Sequence, residues 1–307
     1  MSTTIRIHEF GASDVLRVED RPVPEPGPGE VRIRVAAAGL NPVDFKTREG
    51  SYPMVSRDDL PLAMGHEVAG TVEAVGEGVE SFARGARVHA MVSAGGYAQH
   101  VVVSAGDAAA VPEGLSDAEA AAIPLAALTA WQGLVDHGGL TAGQRVLIHG
   151  GAGGVGHFAV QIAKARGATV LATASAGDED VLRELGADTV IDYRNARFEE
   201  ETGEVDLVLD LIGGETQERS WSVLRHGGAM VSSLQEPSEE KAREKDARAT
   251  AFLVKPDGTQ LEEIGRLVTR GQLRPVVAET FPLERAADAQ DRLETGHVRG
   301  KIVLLVA

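Results

Sequence analysis

The hexapeptide Gly151-Ala152-Gly153-Gly154-Val155-Gly156 constrains this 307-residue chain more than any other feature. It follows a β-branched run, Arg145–His149, and opens a stretch in which Phe158, Ile162 and Ala165 share one helical face. A strand, a glycine turn and a helix in that order form the first crossover of a doubly wound parallel sheet. Gly151 allows the tight turn, Gly153 lets a pyrophosphate approach the backbone, and Gly156 permits close contact between helix and strand. With Gly154 and Val155 they open the helix N-terminus, which offers unpaired N–H groups and a partial positive charge to phosphates. The rival reading is a glycine-rich turn that binds nothing, and the flanking strand and helix weigh against it.

The rest of the chain divides into two textures. From Thr3 to about Pro112, alternating runs (31–38, 67–75, 86–92, 97–103) are punctuated by Gly and Pro, the pattern of a partly open β-barrel. Beyond Pro112 short β-branched runs alternate with helical ones. A helix is expected over 116–136, interrupted near Pro124 and opened by a Ser116/Glu119 capping box. Helices are then expected at 155–166 and 178–185, and strands at 145–149, 169–173, 189–192 and 205–210, which implies a parallel sheet covered on both faces. The tail 301–306 reads as a buried strand, and the charged run 237–248 as a solvated surface segment.

Composition narrows the function. There are no cysteines, so disulfides and thiolate metal sites are excluded. A net charge of −16 without a basic block disfavours nucleic acid and anionic membrane as partners. No apolar run is long enough to span a bilayer, the start lacks a secretory pattern, and a cytoplasmic location is expected. An NAD site usually carries Asp or Glu at the end of the strand after the glycine turn. Here that point falls on Ala174-Ser175-Ala176, which favours NADPH, with Tyr193 and Arg194 as donor and positive charge for a 2′-phosphate. Asp178, Glu179 and Asp180 oppose that reading unless they are only the acidic first turn of a helix.

Four segments in order, 39–44 (GLNPVD), 65–70 (GHEVAG), the glycine loop and 300–304 (GKIVL), span nearly the whole chain. Through them the sequence resembles the zinc-independent quinone oxidoreductase branch of the medium-chain dehydrogenase/reductase superfamily. The resemblance implies an α/β architecture with a GroES-like β-barrel domain over 1–118 and 279–307, and a Rossmann doubly wound parallel-sheet domain over 119–278. It implies a homodimer, and it places Asn41, Thr129, Ser175, Tyr193, Phe252, Val254 and Lys301 at or near NADPH. Zinc-using relatives carry cysteines near Asn41 and Ala127 and a four-cysteine lobe after about Val92, with His66 as a further ligand. This chain has none of those cysteines and no room for the lobe, so no metal is expected, and His66 and Glu67 read as hydrogen-bonding residues of a buried turn.

Without a metal to polarise an alcohol, the expected reaction is hydride transfer from NADPH to a quinone or an α,β-unsaturated carbonyl compound. Asn41 would orient substrate or nicotinamide, Asp44 and Lys46 would form a supporting ion pair, and Tyr52 would line the pocket and donate a proton. The plainer readings are a turn at Asn41-Pro42, surface charges at 44 and 46, and a closed loop at Tyr52. Two other functions compete: an enoyl reductase of a biosynthetic pathway acting on a longer thioester, and a non-catalytic NADPH-binding redox sensor.

Overall fold

The computed structural model describes all 307 residues, in two compact units: Met1–Ala126 with Pro256–Thr269 and Pro275–Ala307, and Ala127–Lys255 with Arg270–Arg274. No helix is long and apolar enough to cross a membrane.

In the second unit six parallel strands form one sheet. Across it lie Thr189–Asp192, Thr169–Ala174, Arg145–Ile148, Val205–Asp210, Leu224–Ser232 and Arg248–Ala251. Numbered along the chain, that order is 3-2-1-4-5-6, and it reverses between the first and fourth strands, where ligands of such sheets bind. The core under the sheet includes Leu147, Leu171, Val208, Met230 and Trp221. Helix Gly156–Ala165 is buried from Gly156 to Ala163, because the alternating strands leave it covered by the sheet on one side and chain on the other. The four strands expected here are present within a residue at each end. The last two strands were not foreseen. The fifth carries Gly227 and Gly228, and the sixth is Arg-Ala-Thr-Ala, so neither shows a β-branched run. The charged run is part helix, Glu239–Glu244, capped by Ser238 and anchored by the buried Ala242.

The first unit is antiparallel apart from one parallel pair. Its seven-stranded sheet runs Val277–Pro282, Lys301–Leu305, Glu30–Gly39, Glu67–Val75, Arg87–Met91 and Ala108–Ala110, with His100–Ser104 also paired to Glu30–Gly39. A three-stranded sheet joins Arg17–Arg21, Ser2–Ile7 and Leu62–Ala63. The core contains Ile5, Ile7, Val31, Ile33, Val68, Tyr97, Ile302 and Leu304. The chain rejoins this unit at Pro256, earlier than the expected 279. Helix Gly258–Thr269 buries Leu261 and Ile264, and a Cβ on Gly258 would stand 2.5 Å from the carbonyl oxygens of Gly106 and Ala108, so glycine permits the helix to seat there. The helix expected over 116–136 is present as Asp117–Ala121, then Pro124–Trp131, and it ends in a π-helical segment Gln132–His137.

Candidate functional site

The glycine loop of the second unit has the shape its residues call for. A Cβ on Gly156 would lie 2.1 Å from the Gly150 carbonyl oxygen, and one on Gly151 would lie 2.8 Å from the Ala172 Cβ. Those two glycines are required by the fold. Gly153 differs: its Cβ would meet nothing closer than the Gly150 oxygen at 3.4 Å, so the space beside it is open. Gly150, at φ +71°, turns the chain out of the strand.

Donors are aimed by a buried chain below the loop. Ser220 Oγ donates to the Thr216 carbonyl at 2.7 Å, so its oxygen accepts from His149 Nε2 at 2.8 Å. His149 Nδ1 then accepts from the Thr173 hydroxyl at 3.1 Å, and Thr173 Oγ1 accepts from the Gly150 N–H at 3.2 Å. This assigns the neutral Nε2–H tautomer, and burial pushes the His149 pKa down to about 4, in agreement. The Gly151 N–H is bound to the Thr173 carbonyl and the Gly153 N–H to that of Gly150. The N–H groups of Ala152, Gly154, Val155 and Gly156 have no acceptor in the chain, which leaves four donors at a helix N-terminus beside an open glycine. That donor set fits a dinucleotide pyrophosphate.

In the first unit a buried polar network forms around helix Pro42–Glu49. Asn41 precedes the helix, and the Asp44 carboxylate reaches back to the Asn41 N–H at 2.7 Å. The same Asp44 oxygen accepts from the Tyr97 hydroxyl at 2.7 Å, and its other oxygen accepts from His66 Nδ1 at 2.7 Å. The Asn41 side chain turns the other way. Its Nδ2 donates to Glu67 Oε1 at 2.8 Å and its Oδ1 accepts from Lys301 Nζ at 2.5 Å. Lys301 also donates to the Leu40 carbonyl and to Glu67 Oε1, each at 2.6 Å, while Glu67 Oε2 accepts from the Leu125 N–H at 2.8 Å. Glycines make room: a Cβ on Gly39 would fall 2.3 Å from Glu67 Oε1, and one on Gly65 2.3 Å from the Tyr97 ring. Burial raises the Tyr97 hydroxyl pKa well above its usual value, with the Asp44 charge adding to it. Burial lowers the His66 pKa, but the hydrogen bond and charge of Asp44, with Glu67 behind, outweigh it and leave the pKa raised.

Several expectations change against this geometry. The Asp44–Lys46 ion pair does not form: residues two apart on a helix point to opposite sides, and Asp44 is saturated by Asn41, Tyr97 and His66. Lys301, expected at the cofactor, has all three N–H donors engaged by Leu40, Asn41 and Glu67. It holds Asn41 in place, and Asn41 keeps a second Nδ2–H without an acceptor in the chain. Phe252 is buried with its ring 4.6 Å from that of His137, while its neighbour Leu253 is 56% exposed and Val254 half-buried. Thr129 is buried in its helix. Tyr52 is half-buried, and its N–H donates to the Lys46 carbonyl, so these two are brought together through backbone. Ser175, Tyr193 and Arg194 do converge. Ala174 pairs with Asp192 across the sheet, and the Arg194 guanidinium lies 5.8 Å from the Tyr193 ring centroid.

Sequence reasoning missed Tyr97, Thr173, Ser220 and the role of His149. The Asn-Pro-x-Asp spacing at 41–44 was a readable signal for the helix start. The donor set does not fit zinc. His66 and Glu67 are held in the network, and no three His, Cys, Asp or Glu side chains group closely enough to hold a metal ion.

Family models match both parts of the chain: one described as an alcohol dehydrogenase GroES-like domain over residues 27–113, and one described as a zinc-binding dehydrogenase over 185–304. The quinone oxidoreductase of Sus scrofa is 32% identical over 325 aligned positions, covering 100% of this chain and 98% of that protein. The NADPH-dependent alkenal/one oxidoreductase, chloroplastic, of Arabidopsis thaliana is 36% identical over 310 positions, covering 96% of this chain and 77% of that protein. Among solved structures, the quinone oxidoreductase from Coxiella burnetii superposes with a TM-score of 0.93 at 36% identity, over 100% of this chain and 99% of that one.

Proposed function

Since the chain belongs to the zinc-independent quinone oxidoreductase branch of the medium-chain dehydrogenase/reductase superfamily, we propose that it reduces quinones or α,β-unsaturated carbonyl compounds with NADPH and without a metal. The observation that carries the reading is the cradle of four acceptor-free N–H groups around Gly153, at the switch point of a 3-2-1-4-5-6 sheet. The relatives' names supply the acceptor class.

Bound reduced nicotinamide would supply the hydride. The chain's own part is to bind, orient and protonate. The loop N–H groups hold the pyrophosphate, with the His149–Thr173 chain fixing the turn from beneath. The spare Nδ2–H of Asn41, locked by Glu67 and Lys301, offers one directed hydrogen bond to nicotinamide or substrate. Tyr52 Oη is the proposed proton donor to the reduced substrate. Tyr193 and Arg194, beside Ser175 at the strand end, favour the 2′-phosphate and hence NADPH. A homodimer is the proposed assembly, read by light scattering as twice the 32.2 kDa chain mass.

The test is NADPH oxidation with a 1,4-quinone, a 2-alkenal and, in reverse, a simple alcohol with NADP⁺, after chelator treatment. Turnover of the first two without the third is expected. Turnover lost with the metal removed, or confined to the alcohol, would overturn the reading.

A further inference from the structure

Three carboxylates are fully buried in this chain, those of Asp44, Glu67 and Asp210. The first is met by the His66 imidazole and the second by the Lys301 ammonium, but no ion pair of the chain includes the third. Asp210 ends the fourth strand of the parallel sheet, which lies beside the first strand, where the order reverses. Its Oδ1 accepts from the N–H groups of Ile212 at 3.0 Å and Gly213 at 2.8 Å, and its Oδ2 from Gln217 Nε2 and Ser232 Oγ, each at 2.9 Å. The directions of these bonds are fixed. Ser232 Oγ accepts from the N–H groups of Leu234 and Gln235, and Gln217 Oε1 accepts from Gln235 Nε2 at 3.1 Å, so serine proton and glutamine amide both turn to Asp210. Four donors and no acceptor face the group, which is therefore a carboxylate.

We propose that Asp210 is the counter-ion of an oxidised nicotinamide ring, and that its charge tilts the chain toward NADP⁺ over NADPH. The inference rests on the dinucleotide reading above and extends it to the redox state of the ligand. A sheet of this order is built from two mononucleotide-binding halves, and the adenosine ribose is met at the end of the second strand. The nicotinamide half falls to the strands beyond the reversal, of which the one ending in Asp210 is the first. The surface there suits a flat apolar ring. The turn that Asp210 holds carries the exposed Ile212, whose Cδ1 would lie 3.1 Å from a Cβ on Gly150, so the turn adjoins the glycine loop. The exposed Leu234 stands beside it, 3.7 Å from where a Cβ on Gly213 would be.

A buried charge is costly unless an opposite charge or several hydrogen bonds meet it. Asp210 has the hydrogen bonds and lacks the cation. The oxidised ring carries one positive charge that the reduced ring lacks, so an anion held near it attracts one form only. The charge does reach the glycine loop: burial sets the low pKa of His149, and Asp210 is the largest influence opposing it. Arg219 also acts on His149, but its guanidinium is bound by the two oxygens of Glu199 at 2.6 and 2.7 Å and is committed there.

The experiment measures dissociation constants for NADP⁺ and NADPH by calorimetry, in the parent chain, Asp210→Asn, Gln217→Lys and Ser232→Ala. High salt is used because it screens the overall charge of −16, which also favours the less anionic nucleotide, and leaves a buried charge in force. Asp210→Asn removes the charge, and Gln217→Lys neutralises it by pairing while keeping a donor on Oδ2. Each should raise the NADP⁺ constant relative to the NADPH one by about threefold to tenfold, the order of one charge acting through protein and not by contact. Ser232→Ala takes a hydrogen bond and leaves the charge, so it should move both constants together. The two routes to neutrality are independent, and if one variant fails to fold the other decides. A ratio within about twofold of the parent's in either neutralising variant that folds, or a Ser232→Ala shift as large as theirs, overturns the inference. A parent that binds neither nucleotide overturns the dinucleotide reading and this inference with it. Ratios that move as expected without turnover on any acceptor would sink only the reductase reading and leave this one standing.

Discussion

Removing the Lys301 ammonium while keeping its stem, as Lys301→Met does, isolates the charge at the centre of the buried network. Lys301 is 2% exposed and Glu67 fully buried, so the variant leaves an uncompensated carboxylate out of water. It also takes the donor from the Leu40 carbonyl and from Asn41 Oδ1. Breaking one side of a buried pair costs about 3–5 kcal/mol. At roughly 2–4 °C per kcal/mol for a folding unit of 150–250 residues, the midpoint should fall by about 6–20 °C. Thermal unfolding gives the total. Hydrogen exchange read by mass spectrometry localises it, and protection should drop in the segments 40–49 and 301–305. Trp131 and Trp221 both lie in the second unit, so tryptophan emission is the control for that unit. The double variant Glu67→Gln with Lys301→Met removes both charges and should recover about half of the loss or more, because the stranded carboxylate is gone. A single variant that loses less than about 1 kcal/mol, or a double variant no better than the single, would refute the buried-charge reasoning. A large rise in the NADPH dissociation constant without loss of stability would return Lys301 to the cofactor.

Gly153→Ala should leave stability within about 0.5 kcal/mol, since its Cβ meets nothing within 3.4 Å, yet weaken NADPH binding about tenfold or more; equal affinity in a titration would contradict the cradle. Gly156→Ala should lose both, because its Cβ would sit 2.1 Å from the Gly150 oxygen, and melting curves separate the two variants. The His149 pKa is lowered from 6.5 to about 4, so the unfolded chain takes its proton first as pH falls. Stability is therefore full above pH 6.5 and declines toward pH 4, by about 3 kcal/mol for this group. Urea midpoints across that window should fall less steeply for His149→Gln, and an unchanged slope would rule it out. Tyr52→Phe should lower kcat on an enone by about a hundredfold with nucleotide affinity unchanged, and unaltered turnover would retire the proton-donor role.

Four of the six strands of the dinucleotide half were legible because they carry β-branched runs, and its glycine turn has one structural use. The site in the first unit was much less so, and helix Pro42–Glu49 shows why. Pattern reading looks for an apolar stripe, but this helix buries Asp44, Thr47 and Arg48. Arg48, 1% exposed, donates to Gln290 Oε1 at 3.0 Å and to the Gly11 carbonyl at 3.1 Å. No hydropathy rule marks a polar inner face, so its partners could be found only once the chain was folded. The same limit hid Tyr97, read as part of a strand although its hydroxyl caps a carboxylate on another element. At Asp178 the shortfall is one of local geometry. Spacing placed Ser175 at the strand end, and only the 3₁₀ turn Ala176–Asp178 brings the Asp178 carboxylate to its hydroxyl.

The acidic balance of the chain sets how it must hold a polyanion. At −16, its field repels a dinucleotide at long range, and the loop itself, from Gly150 to Gly156, contains no cation. The attraction has to come from N–H dipoles within hydrogen-bond distance, and such dipoles act only if they are held in place. This explains the buried polar chain that lies under the turn. Thr173 fixes Gly150 and Gly151 by its hydroxyl and carbonyl, His149 fixes the Thr173 hydroxyl, and Ser220 fixes His149. A lysine at the loop would attract phosphate from further away but would specify no geometry. Four aimed N–H groups around an open glycine accept only a ligand that arrives backbone-close, and that selectivity makes a dinucleotide, rather than any passing phosphate, the ligand this loop is built for.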